Sequence, residues 1–273
     1  ALRAAQLALA VLVAAYLASF AAHALLLLGF RFPLDYGEGP LLAQVERMRS
    51  GIPIWRLYAD PAAPPYLIVN YPPVYLLLTA ALTPLSGAVL SAGRLISLLA
   101  ALGAVAALAM LATTGRQRAR FTPHPASFYL SLLFLTVPIV REWAALMRVD
   151  MLGVCLGLWG LAVLSGGTRG PGPRRAALAG VLVLASLYTK PSLIAAPVAA
   201  GAWLLWRAWR APAAERRSAM LATATLSGVL MVGGGLLFAA CQLASDGWFA
   251  LHVVTANANR WDGALARGFW AQQ

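Results

Sequence analysis

Residues 4–28 read AAQLALAVLVAAYLASFAAHALLLL, without an aspartate, glutamate, lysine or arginine. A helix rises 1.5 Å per residue, so about 20 mostly apolar residues cross the hydrocarbon core of a bilayer. The pattern recurs, because Leu95–Leu111 and Ser218–Leu243 also carry no charged side chain. The chain of 273 residues is 61% hydrophobic and 11% charged, where a soluble domain averages roughly 45–50% and about 25%. A signal peptide does not explain repeated runs, and the long alternating strands of an outer-membrane barrel are absent from the sequence. The sequence therefore predicts an all-α polytopic integral membrane protein.

The net charge is +12. In a soluble chain that excess suggests nucleic acid. Here the arginines sit in short loops between apolar runs, which is the positive-inside pattern, and no nucleic-acid partner is expected. Three such loops carry Arg116, Arg118 and Arg120; Arg169, Arg174 and Arg175; and Arg207, Arg210, Arg216 and Arg217. Cys155 and Cys241 lie inside apolar runs and read as packing residues. The chain opens at Ala1 without methionine and stops at Gln273 after a polar, aromatic stretch, which reads as a piece of a longer protein with further C-terminal helices.

One segment sets the topology. Residues 72–87 read PPVYLLLTAALTPLSG. They are short for a crossing and interrupted by Pro84, so they read as a helix along the membrane surface. All three basic loops then share the side of Arg3. The expectation is one membrane module over 1–273, with about seven transmembrane helices. A first span covers 1–29, and an outer loop with two juxtamembrane helices covers 30–93. Six further spans follow within 94–243, centred near residues 103, 134, 157, 182, 200 and 230. Residues 244–273 form an outer loop or the start of a missing C-terminal part. The N-terminus faces the cytoplasm and the two outer segments face outside. The first surface helix spans Pro40–Ser50, with Leu41, Leu42, Val45 and Met48 on one face and Gln44, Glu46, Arg47 and Arg49 elsewhere. A Pro-rich strap, Asp60–Pro65, joins it to the second. No internal repeat of the secondary-transporter kind is present.

The chemistry-bearing residues cluster at the predicted boundaries. Asp35 and Glu38 lie just past the first span, in Pro33-Leu34-Asp35-Tyr36-Gly37-Glu38-Gly39-Pro40. A carboxylate at a membrane boundary suits a general base, because partial desolvation favours its neutral form. The plainer reading is a solvated turn, with Glu38 favouring the next helix's N-terminus. Gly37 and Gly39 allow a tight turn there. Asp150 follows Arg148 at a span junction near Arg141 and Glu142. It reads either as a salt-bridged junction or N-cap, or as a carboxylate beside an anion-binding arginine. Lys190 is the only lysine, placed either to snorkel or to hold a phosphate. The tail offers His252, Asn257, Asn259, Arg260, Trp261 and Asp262, which suit a sugar or phosphate surface and equally an interfacial belt. The histidines lack metal-ligand spacing, and no Walker, Rossmann or nucleophile-elbow pattern occurs. Asp35 and Glu38 alone are too few ligands to imply a divalent metal.

Taken in order, these features resemble the GT-C superfamily of membrane glycosyltransferases that use polyprenyl-phosphate sugars, nearest to the protein O-mannosyltransferase and lipid A aminoarabinose transferase group. The resemblance runs through the Asp35–Glu38 loop, Asn70-Tyr71-Pro72-Pro73-Val74-Tyr75, Gly93-Arg94-Leu95, Arg148-Val149-Asp150 and Thr189-Lys190-Pro191. It covers nearly the whole chain. It implies a catalytic base at Asp35, with Glu38 as assistant or substitute, although the family often has an adjacent acidic pair. Some relatives place a phosphate-contacting lysine immediately before the paired prolines. Tyr71 stands there in this chain, which leaves Lys190, Arg148 and Arg260 for the phosphate. Asp150, Asn257 and Tyr71 complete the expected substrate-binding set.

The implied reaction is an inverting transfer from a polyprenyl-phosphate sugar to a hydroxyl acceptor at the outer face of the inner membrane. Membrane lipid and the donor are the expected partners, with protein partners in a membrane complex also open. One competing reading is a non-catalytic subunit of this fold in a larger complex. A transporter ranks last, because few polar residues lie deep within spans.

Overall fold

A computed structural model describes residues 2–113, 125–166, 170–258 and 262–272. The described residues are helical, and strands are absent among them. Helix α1 spans Leu2–Leu28, α2 Glu38–Arg49, α3 Val74–Ser86 and α4 Val89–Ala112. Helix α5, Pro125–Ser131, runs into a 3-10 stretch, Leu132–Thr136, and is followed by α6, Pro138–Ala145. Next come α7 Val149–Ser165, α8 Pro173–Leu187 and α9 Ala195–Arg210. Helix α10, Ala213–Ala244, contains a π turn at Val229–Gly233. Two short helices, α11 Phe249–Val253 and α12 Gly263–Gln272, lie in the tail.

Among the described residues, three helices are long and apolar enough to cross a membrane: Ala10–Leu28 within α1, α4 and α10. A fourth crossing is available if Ala126–Thr136 and Pro138–Ala145, bent by 81°, form one span. Helices α7, α8 and α9, at 17, 15 and 16 residues, fall below the roughly 20 residues of a straight crossing. The chain is thus a helical membrane protein.

Local chemistry explains the interruptions. Pro138 excludes its neighbour from the helical region, and Val137 is extended at φ −67° and ψ 124°. The helix restarts with Pro138 at its first turn, where a missing N–H costs nothing. The helix expected near residue 134 is therefore broken at Val137. Helix α3 ends at Gly87, whose φ of 78° is the left-handed conformation that glycine adopts without penalty. Helix α4 then starts at Val89, so the first loop ends before the expected boundary at residue 93. Residues 146–148 are a short link between α6 and α7, extended at Leu146 and Arg148.

Helices α7 and α8 pack through small residues. The Ser186 hydroxyl donates to Gly153 O at 2.7 Å. A Cβ on Gly160 would lie 2.7 Å from Val183 Cγ2 and 3.1 Å from the Ala179 carbonyl oxygen. Close backbone approach of this kind replaces the hydrophobic drive that lipid removes.

At one end of the bundle the first loop and the tail share an apolar core. Leu41, Val45, Leu57, Tyr58, Val69, Tyr75, Phe249 and Val253 are all buried in it. Tyr58 meets Phe249 edge-on with centroids 5.0 Å apart. His252 accepts the Val69 N–H at Nδ1, 3.0 Å, while its Nε2 lies 2.7 Å from Ala59 O. The first loop and the tail therefore pack together. The amphipathic reading of α2 needs correcting: Gln44 and Glu38 are buried with Leu41 and Val45.

Gly160→Val is expected to force α7 and α8 apart at a backbone contact that cannot yield, at a cost of about 1–3 kcal/mol. A lowered unfolding midpoint in detergent checks this; an unchanged midpoint would contradict the packing.

Candidate functional site

Where α1 ends, Glu38 and Arg94 make a closed pair. Arg94 stands in the second turn of the apolar helix α4, and its side chain and that of Glu38 are both 0% exposed. Its Nε and Nη2 donate to the two Glu38 carboxylate oxygens, each at 2.8 Å. The remaining donors reach the carbonyls of Leu27 and Phe30 at 2.6 Å and of Phe32 at 2.9 Å. Glu38 further accepts the backbone N–H of Met147 at 2.7 Å and of Leu34 at 2.8 Å. Burial opposes its charge, but the Arg94 hydrogen bonds, the two backbone donors and the Arg94 charge outweigh it and hold its pKa below the ordinary value. Both oxygens are occupied and none faces solvent, so Glu38 is poorly placed to move a proton. Its expected role as assistant or substitute base gives way to a structural one.

Beside this pair runs a chain of four charges, alternating in sign. Arg148 Nη1 donates to Asp35 Oδ2 at 2.5 Å, and Arg148 Nε lies 3.4 Å from Asp150 Oδ2. Lys190 Nζ pairs with Asp150 Oδ1. The middle members are nearly closed to solvent, with side chains 7% and 5% exposed, whereas the ends, Asp35 and Lys190, are 19% and 23% exposed. The open ends are where a ligand can arrive. Burial weighs against the Arg148 charge; the Asp150 and Asp35 carboxylates outweigh it and raise its pKa.

The fold supplies each member. Asp35 is presented by the turn between α1 and α2, where its Oδ2 also accepts the Gly37 N–H at 3.1 Å. Its Oδ1 has no hydrogen-bond partner among the described residues. Arg148 sits on the extended link, held by Ser97, whose hydroxyl contacts Arg148 N at 3.2 Å and donates to Arg148 O at 2.9 Å. Asp150 lies in the first turn of α7, whose N-cap is Arg148 rather than Asp150. Lys190 follows α8, its N–H bonded to Ser186 O. Trp143 of α6 underlies both cations, 5.0 Å from Arg148 Cζ and 5.5 Å from Lys190 Nζ. The Tyr36 ring, 87% exposed, lies 5.5 Å from Arg148 Cζ on the solvent side.

Gly37 is required for space, not for conformation. Its φ is an ordinary −79°, but a Cβ there would lie 2.2 Å from Arg148 Nη1. Gly39 has nothing within 4 Å of its Cβ position.

An apolar groove of about 270 Å³ lies between α7, α8 and α9. Gly153, Gly157, Leu158, Leu193 and Ala196 line it, with Ser186. Ser186 and Leu193 are the residues hydrogen-bonded to the Lys190 backbone.

The other expected residues fall elsewhere. Asn257 donates to the carbonyls of Asn70, His252 and Val253 and ties the tail to the first loop. Tyr71 packs against the outer core, and its carbonyl accepts the Tyr58 hydroxyl. Arg260 lies outside the described residues, as do His124, Asn259, Trp261, Arg116, Arg118, Arg120 and Arg169. Arg94, Trp143 and Tyr36 are site residues that sequence reasoning missed. Among the described residues, no three of His, Cys, Asp and Glu group to hold a metal ion.

The chain matches no protein-family model, no curated protein and no solved structure. Its function is therefore argued from this constellation.

Glu38→Gln leaves Arg94 without its counter-charge and is expected to cost about 3–5 kcal/mol at pH 7. The Glu38 contribution is full above its ordinary value of 4.5 and is lost as pH falls through its lower folded value. Acid unfolding of wild type and variant should therefore converge below pH 4.5. A constant gap between the two curves would contradict the pairing.

Proposed function

We propose that this chain is a GT-C-like membrane glycosyltransferase, moving a sugar from a polyprenyl-phosphate donor to a hydroxyl acceptor at the outer membrane face. The observation that carries the reading is a carboxylate with one unengaged oxygen, Asp35, joined through Arg148 and Asp150 to a solvent-reaching lysine, whose backbone is bonded to two residues of an apolar groove. Asp35 Oδ1 takes the acceptor proton. Lys190 and Arg148 receive the donor phosphate, whose negative charge grows as the bond to the sugar breaks. The prenyl chain enters the groove from lipid, and Tyr36 offers the sugar an exposed ring face.

The mechanism is a single displacement with inversion. Retention requires a second carboxylate as nucleophile. Asp150 has both oxygens held by cations, and Glu38 has both filled by four donors.

The topology that fits has seven crossings, with α1, α4, the bent α5–α6 unit, α7, α8, α9 and α10 in turn. It is supported by the meeting of alternate helix ends: α1 with α4 through Arg94 and Leu27, the α6–α7 link with α2 through Met147, and α8 with α7 through Lys190. At 13 residues α3 is too short to add a crossing. The N-terminus is then cytoplasmic and the membrane is the inner one.

A second reading, a non-catalytic subunit of a larger membrane complex, draws on the same network, because its two cations, Arg148 and Lys190, already have carboxylate partners.

Purified protein incubated with a panel of polyprenyl-phosphate sugars is expected to release polyprenyl phosphate. Asp35→Asn should lower this release by about 10²-fold or more while retaining donor binding. Release by the variant at the wild-type rate would remove Asp35 as base. Folded wild type that releases nothing from any donor would favour the subunit reading.

A further inference from the structure

Resting on that reading, we infer that Arg148 changes partners during turnover, passing from the Asp35 carboxylate to the donor phosphate as Asp35 takes the acceptor proton. Two carboxylates and two cations make the chain of charges neutral at rest. An incoming phosphate therefore finds no surplus cation within this network and must compete for one already paired. The contacts identify which one yields. Asp150 is buried and held from both sides, by Arg148 Nε and by Lys190. Asp35 is the more exposed carboxylate, bonded through a single oxygen to Nη1. Arg148 can keep Nε on Asp150 as a pivot and swing its Nη groups away from Asp35. Trp143 beneath and Tyr36 above confine the guanidinium between two rings, so the motion stays in that slot.

The reaction balances around this switch. The acceptor oxygen forms a bond to the anomeric carbon, and its proton moves to Asp35 Oδ1. The bond from the anomeric carbon to the phosphate oxygen breaks, and its electron pair stays on that oxygen. Asp35 goes from −1 to 0 while the phosphate goes from monoanionic diester to dianionic monoester. The combined charge is unchanged, and Arg148 ends beside the group that now carries it. A buried cation exchanging one anion for another avoids the cost of an uncompensated charge. The charged or titratable groups around Asp35 are Arg148 and Tyr36 directly, Asp150 and Lys190 through Arg148, and Glu38 with Arg94 on the neighbouring wall.

The test measures binding of a short-chain prenyl phosphate to the full chain in detergent at neutral pH. If Asp35 competes for Arg148, Asp35→Asn should bind the phosphate tighter, by on the order of tenfold. The gain should vanish when Arg148 is also replaced by Gln, or by Met should the Gln variant fail to fold. Unchanged or weaker binding by Asp35→Asn would overturn the proposal, as would the same gain in the Arg148 background. Tighter binding by Asp35→Asn, without turnover of any donor by wild type, would uphold the exchange and sink the transferase reading. Failure of every folded variant to bind would sink both.

Discussion

The buried fork between Arg94 and Glu38 is the contact on which the rest of the architecture depends. It uses all five guanidinium donors and fills both carboxylate oxygens. Four separate stretches meet there: the end of α1, the start of α2, the second turn of α4 and the link before α7. A charge inside an apolar helix is tolerated only when paired. Pairing this one fixes where the chain leaves α1 and where the α6–α7 link passes. Asp35 lies three residues before Glu38, and Arg148 lies one after Met147. The site geometry is thus a by-product of a structural ion pair.

Much of this was legible in sequence. The apolar runs gave a helical membrane protein, and the segment read as 72–87 ends at Gly87, where α3 ends. Asp35, Arg148, Asp150 and Lys190 stood out as charges at apolar boundaries, and the fold brings all four into one chain. Their mutual contacts were not legible, because Asp35 and Arg148 lie 113 positions apart and Asp150 and Lys190 lie 40 apart. Spacing says nothing at such range.

The misreadings have physical causes. Glu38 looked like a second reactive carboxylate because it stood beside Asp35, yet its partner, Arg94, reads in the sequence as the first residue of a span. A helix starting at Val89 instead makes Arg94 a charge within a span, and that alone calls for a buried carboxylate. Gly37 looked like a turn glycine and proves to be the space in which the Arg148 guanidinium lies. Asn257 was grouped with a sugar surface because of its neighbours in sequence, but its amide is spent on three carbonyls that anchor the tail.

The functional account draws its force from asymmetry within a neutral network. Closed middle members give a fixed frame, while the open ends give a carboxylate on one side and a cation near an apolar groove on the other. That division suits a substrate that is part membrane anchor and part sugar. The measurement that tests the central claim most directly is the anomeric configuration of the transferred sugar, read by NMR on product made with a donor of known configuration. Inversion is the predicted result. Retention would require a nucleophilic carboxylate that this arrangement does not offer, and would contradict the account.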